Sequence, residues 1–237
     1  MTKEEINRDK VVKIFEESWK ELGQEYAEKL RILSTFCSEA DVELHLAHKL
    51  LNKLPAESVH IEFPIPLEIE RLSRELFAYG RVKMTEYVKP DIVVIDPLVA
   101  DLYLIAELKY TPIYWSYLPL YLAREKKLSK EDVEQVKKGL ERSINYLQKI
   151  RQEEPTPQSI EKIYLTNVSK MIGILNDLEK EENETVAGYL CVIDEIYPNI
   201  EEILKRTIKK FNPPNQFRIL AEHFTVYENL EKTLEQL

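Results

Sequence analysis

The chain has 237 residues, 44% hydrophobic and 32% charged, which describes an ordinary folded globule and excludes a disordered polypeptide. Its 42 acidic residues outnumber 33 Lys and Arg, a net charge of −9 that argues against a strong non-specific grip on nucleic acid, though a local basic patch can still serve such a partner. No run of about 18 apolar residues exists, so no membrane partner is expected. The charged start MTKEEINRDK lacks a secretory h-region, and Cys37 and Cys191 read as a reduced pair, so a cytoplasmic location is expected.

Apolar Ile6, Val11, Ile14, Phe15, Trp19, Leu22 and Tyr26 recur at helical spacing and predict a helix or helix pair over 4–36. Ser38 reads as the N-cap of a second helix running to about Leu54, which Pro55 ends. A short strand, Val59 to Phe63, follows, then a helical stretch over 67–79. The runs ending DIVVID and LYLIAELKY are apolar on both faces and predict central strands joined by a short loop at Pro97 to Asp101. Helices are expected at 130–152, 158–180 and 199–210, a buried strand at AGYLCVID (187–194), and a last strand from Phe217 to Val226. The tail from Asn229 reads as helix.

Charges interrupt two of these apolar strands. Glu107 and Lys109 lie two apart in one of them, so they share a face about 7 Å apart. With a loop centred on Val99, Asp96 pairs with Leu102, Ile95 with Tyr103, Val93 with Ile105, and Asp91 with Glu107. Directly opposite residues lie about 5 Å apart on one face. Two buried carboxylates so close repel unless a cation lies between them, and hard oxygen ligands suit Mg²⁺ or Mn²⁺. A third acid comes from the second helix. Stepping about 100° per residue from Glu43 places Leu46, Ala47, Leu50, Leu51 and Leu54 between roughly −60° and +80°. Glu43 is therefore expected on the apolar stripe, facing the sheet.

Glu43, Pro90-Asp91 and Glu107-Leu108-Lys109, in the order helix, strand, hairpin, helix, strand, resemble the αβββαβ core of the PD-(D/E)XK superfamily of restriction-endonuclease-like nucleases. The resemblance spans about 38–194. It implies an α/β fold with a central mixed sheet flanked by helices. In that frame 1–36 is an N-terminal helical extension, 37–228 the nuclease-like domain with a helical insertion at about 156–182, and 229–237 a tail. It also implies a magnesium-dependent hydrolase acting on phosphodiester bonds, with DNA as the expected partner and a homodimer as a possible assembly. Asp91, Glu107 and the Leu108 carbonyl would hold the metal. Glu43 would hold a second ion or a water, and Lys109 would orient or deprotonate the attacking water. The product would carry a 5′-phosphate.

Further candidates stand around that set. Family members often bring a polar or basic residue from the following helix, and Gln135 or Lys138 fits that place, with Lys137 and Arg142 on the same helix. Tyr114 and Trp115, with Tyr117 and Tyr121, could stack on unpaired bases or pack in a core or interface. Glu62 is a possible extra acid. His45 and His48 fall away from the Glu43 face and read as surface residues. Lys205, Arg206, Lys209 and Lys210 read as solvated surface. Two competing readings are a catalytically silent nuclease-fold module for nucleic-acid binding or assembly, and a structural protein whose buried charges form a salt-bridge network.

Overall fold

Buried side chains alternate between two clusters along the central strands. Ile92, Val94, Leu104, Ala106, Leu108 and Tyr110 join one large cluster, while Val93 and Ile105 join a smaller one. This is the signature of a sheet covered on both faces. The computed structural model describes residues 7–31, 38–66, 87–98, 101–112, 122–123, 125–150, 155–181, 186–224 and 227–237. The expected helix over 67–79 lies outside them, as do Cys37, Tyr114, Trp115, Tyr117 and Tyr121.

The elements in chain order are α1 (Arg8–Arg31), α2 (Glu39–Leu51), β1 (Val59–Ile61), β2 (Ile65–Pro66), β3 (Tyr87–Val88), β4 (Ile92–Ile95) and β5 (Leu102–Thr111). Then come α3 (Lys130–Ile150), α4 (Pro157–Tyr164), α5 (Val168–Glu181), β6 (Ala187–Asp194), α6 (Ile200–Ile208), β7 (Phe217–His223) and α7 (Tyr227–Gln236). The fold is α/β, with a five-stranded mixed sheet in the order β1-β4-β5-β6-β7 and a separate pair β2-β3. The β1–β4 and β4–β5 pairings are antiparallel; β5–β6 and β6–β7 are parallel. Among the described residues no helix is long and apolar enough to cross a membrane.

Val11, Phe15, Trp19, Leu22 and Tyr26 recur every three or four positions on α1 and are all buried. They belong to the large cluster around β4, β5 and β6, so the helix read as an extension is seated in the core. Leu230 of α7 is in the same cluster. Met171, Ile174, Leu175 and Leu178 of α5 cover the other face. Gly188 permits that approach, because a Cβ there would lie 2.3 Å from Leu175 Cδ1 and 2.9 Å from Phe217 Cδ2.

Three expectations are corrected. The stretch 158–180 is two helices, broken at Leu165–Asn167, where Leu165 leaves the helical region at φ −113°, ψ 14°. The loop-proximal register of the β4–β5 hairpin differs: Val93 faces Ile105 as expected, but Ile95 faces Leu102, across a bulge after Val94. The extra residue frees Tyr103, whose hydroxyl donates to Asp96 Oδ2 at 2.8 Å, and Asp96 Oδ1 accepts the Leu98 N–H at 2.7 Å. Finally, β1 stops at Ile61 because Glu62 is left-handed at φ 48°, a conformation that breaks strand pairing.

At the end of β6 two acids are buried. Asp194 accepts the N–H groups of Ile196 (2.8 Å) and Tyr197 (2.5 Å) and the Tyr164 hydroxyl, and Glu195 accepts the Tyr26 hydroxyl. These bonds fix the turn into α6 and tie α1 and α4 to the sheet.

Candidate functional site

The site forms where two strands part. The β4–β5 ladder ends at Ile92 opposite Ala106, while β5 runs on to Thr111. Pro90, two residues before β4, has no N–H to continue the pairing. Beyond Ala106 the β5 backbone must find other partners on that side. Side chains provide them: Asp91 Oδ2 accepts the Leu108 N–H at 2.5 Å, and Glu39 Oε2 accepts the Tyr110 N–H at 3.3 Å. The Leu108 carbonyl accepts from Lys109 Nζ at 2.7 Å.

Lys109 is the hub. Its ammonium is 2.9 Å from Glu107 Oε1 and 3.1 Å from Glu39 Oε1, with its side chain 13% exposed. Glu107, 1% exposed, also accepts from Asn167 Nδ2 at 3.2 Å through the same Oε1. Its other oxygen, Oε2, is buried without a hydrogen-bond partner among the described residues, and so is Glu43 Oε1. Buried carboxylate oxygens left without a partner are costly.

Helix α2 delivers two acids. Ser38 caps it by accepting the Asp41 N–H at 3.3 Å, as the sequence predicts. Glu39 and Glu43, four apart, share one helical face. Val42, Leu46, Ala47 and Leu50 are buried, but Leu51, expected on the stripe, is exposed. Glu43, half-buried, lies within the buried arc of the helix, between Leu50 and Ala47 on the helical wheel.

Burial first, and then the crowding of acids, sets their protonation. Burial, then the charge of Glu107, pushes Asp91 up to about 7, against the opposing Leu108 N–H and Lys109. Burial, then Glu62, Glu39 and Glu107, pushes Glu43 up to about 7. Burial raises Glu107 too, with Lys109 and Asn167 opposing. For Lys109 burial works downward, but Glu107, Glu39 and Asp91 outweigh it and hold the ammonium above its ordinary range.

These shifts fix the sign of a pH effect. Asp91 and Glu43 bind protons more tightly folded than unfolded, where carboxylates titrate near about 4. Their stabilisation is thus complete below pH about 4 and is lost as pH rises through about 7. In EDTA, the melting temperature of the protein is expected to fall between pH 5 and pH 8 relative to that of Asp91→Asn, whose neutral amide does not titrate. Parallel thermal melts check this, and identical pH profiles for the two proteins contradict it.

The site gathers Glu43, Asp91, Glu107, the Leu108 carbonyl and Lys109. It adds two residues that the sequence reading missed. Glu39 was visible one turn before Glu43, but acids are routine in a first helical turn. Asn167 was hidden by the assumption of one continuous helix over 158–180. Glu62 is exposed, yet close enough to raise Glu43.

No protein-family model, curated protein or solved structure matches the chain. Among the described residues, no three His, Cys, Asp or Glu side chains are grouped so as to hold a metal ion.

Gln135 and Lys138 are exposed on α3 and do not line the groove beside Lys109; Arg142, Ser143 and Tyr146 do. Lys138, Arg142 and Tyr146 follow one another at four-residue steps on α3, and of the three Arg142 and Tyr146 line the groove. His45 pairs with Glu25, and His48 is exposed. Lys205 and Lys210 are on the surface, paired with Glu201 and Glu161.

Proposed function

We propose that this chain is a metal-dependent nuclease of restriction-endonuclease-like type, hydrolysing phosphodiester bonds in DNA. The observation that carries the reading is the meeting of Asp91, Glu107 and Lys109 with Glu43 and Glu39 where β4 leaves β5. The order α2, β1, β4, β5, helices, β6 supports it, being that of an αβββαβ core.

The donor set fits a hard divalent cation. Mg²⁺ is commonly bound through only one or two carboxylates, with waters and substrate phosphate completing its shell. Asp91, Glu107 and the Leu108 carbonyl are such a set, and Glu107 Oε2 is left without a hydrogen-bond partner among the described residues. Once bound, Mg²⁺ or Mn²⁺ supplies Lewis-acid polarisation of the phosphoryl group and neutralises the developing charge. The chain does the rest. Asp91 and Glu107 would hold that cation. Lys109 stays an ammonium near neutrality, so it orients the attacking water and donates hydrogen bonds to the phosphoryl oxygens. Glu43, pushed up to about 7, is the group able to take a proton from that water near neutral pH.

The direct ion pairs of Lys109 favour a second reading, in which the cluster is a closed salt-bridge network without chemistry. A cleavage assay separates the two. Purified protein is incubated with single-stranded, duplex and branched DNA and with RNA, in Mg²⁺, Mn²⁺ or EDTA. Cleavage is expected in either metal and none in EDTA. Intact substrates throughout, with no heat of metal binding by calorimetry, would favour the salt-bridge network.

A further inference from the structure

We infer that the strand entering this site is unpaired, and that the groove beside Lys109 seats one of its bases against Tyr146. The inference deepens the nuclease reading and rests on it. The groove, about 660 Å³, is lined by Glu39, Lys109, Arg142, Tyr146, Ile163 and Ile196 among others. A volume of this size accepts a molecule as large as a nucleotide. Its apolar lining is open to solvent: Tyr146 is 52% exposed and Ile163 38%. An exposed aromatic and an exposed isoleucine lining one groove, in a chain with 32% charged residues, offer a surface suited to a flat apolar ligand.

Charge decides what kind of strand fits. A duplex is gripped through several phosphates, each met by Lys, Arg or a backbone N–H. Among the described residues two cations line this groove, Lys109 and Arg142, and Lys109 is already engaged by Glu107 and Glu39. Arg142 makes no ion pair among the described residues, so it can meet one phosphate. With a net charge of −9 behind it, affinity must come from stacking more than from phosphate contacts. A paired base keeps both faces inside the duplex and cannot stack on Tyr146. An unpaired one can, with its phosphate reaching back toward Lys109.

The test uses twelve-nucleotide DNA and RNA strands carrying 2-aminopurine, and a DNA hairpin duplex of the same sequence. Binding is followed in Mg²⁺ by anisotropy and by 2-aminopurine quenching, with the Glu107→Gln protein so that the probes stay intact. The single strands are expected to bind at least about tenfold more tightly than the hairpin, with quenching. Adding Tyr146→Ala should weaken the single strands about tenfold and remove the quenching, while Tyr146→Phe retains both. The DNA and RNA arms show which sugar is preferred. Equal or tighter binding of the hairpin, or unchanged affinity and quenching in Tyr146→Ala, overturns the inference. So does a dimer that binds no oligonucleotide and dissociates in Tyr146→Ala, which would make the groove an interface between copies. The two readings fail separately. Metal-dependent cutting of duplex and single strand alike sinks this inference and leaves the nuclease. Quenched single-strand binding with no cleavage by the unmutated protein keeps the groove assignment and removes the hydrolysis.

Discussion

Glu107→Gln is expected to reduce metal-dependent cleavage by about a thousandfold while leaving the metal-free protein folded. Glu107 is 1% exposed and one of its oxygens has no partner. Burial already drives it toward the neutral form, so an amide of the same shape removes an unfavourable charge. The Asn167 contact can survive, since the amide keeps one carbonyl oxygen to accept it. Lys109 keeps Glu39 as a counter-charge. What the amide cannot do is hold a divalent cation together with Asp91. The checks are a kinetic assay beside a melt in EDTA at pH 8. If the pair with Lys109 were there for stability, losing one partner would cost about 3–5 kcal/mol, and the EDTA melt would drop sharply.

Lys109→Met makes the complementary case. The methionine fills the space of the aliphatic stem but brings no ammonium, so Glu107, Glu39 and Asp91 face one another without a cation. In EDTA at pH 8 the loss is expected to be about 3 kcal/mol, read from urea unfolding. Added Mg²⁺ should restore much of it, because the cation takes the place of the ammonium among the acids. Metal affinity is expected to equal or exceed that of the unmutated protein. Cleavage should still fall at least about a hundredfold, since no group remains to orient the water or donate to the phosphate oxygens. A variant that cuts at the original rate would remove Lys109 from the chemistry. One that Mg²⁺ fails to stabilise would support the salt-bridge network instead.

The charges of the site were legible because they stand where charges are expensive. Glu107 and Lys109 interrupt an otherwise apolar strand, Asp91 directly precedes another, and period-two alternation alone predicts that the three share one face. The pairing of Val93 with Ile105 followed from the loop length, and the bulge after Val94 did not, since one extra residue leaves no mark in a hydrophobic pattern. Ser38 announced the start of α2 by its capping chemistry. Glu39 looked like an ordinary first-turn acid, because its second task depends on how far β5 outruns β4, which is tertiary. The same applies to α3. Periodicity gave its exposed stripe, but which turn of that stripe faces Lys109 depends on how the helix slides along the sheet, so Arg142 and Tyr146 stand where Gln135 and Lys138 were expected. Asn167 needed the break between α4 and α5, which a continuous apolar pattern conceals.

A crystal soaked in Mn²⁺ at pH 8 and measured for anomalous scattering shows whether Asp91 and Glu107 bind a metal together. The expected result is a peak about 2.1 Å from carboxylate oxygens of both Asp91 and Glu107, with the Lys109 ammonium moved off Glu107. Anomalous density absent from that cleft, with Lys109 still bridging Glu39 and Glu107, would contradict it.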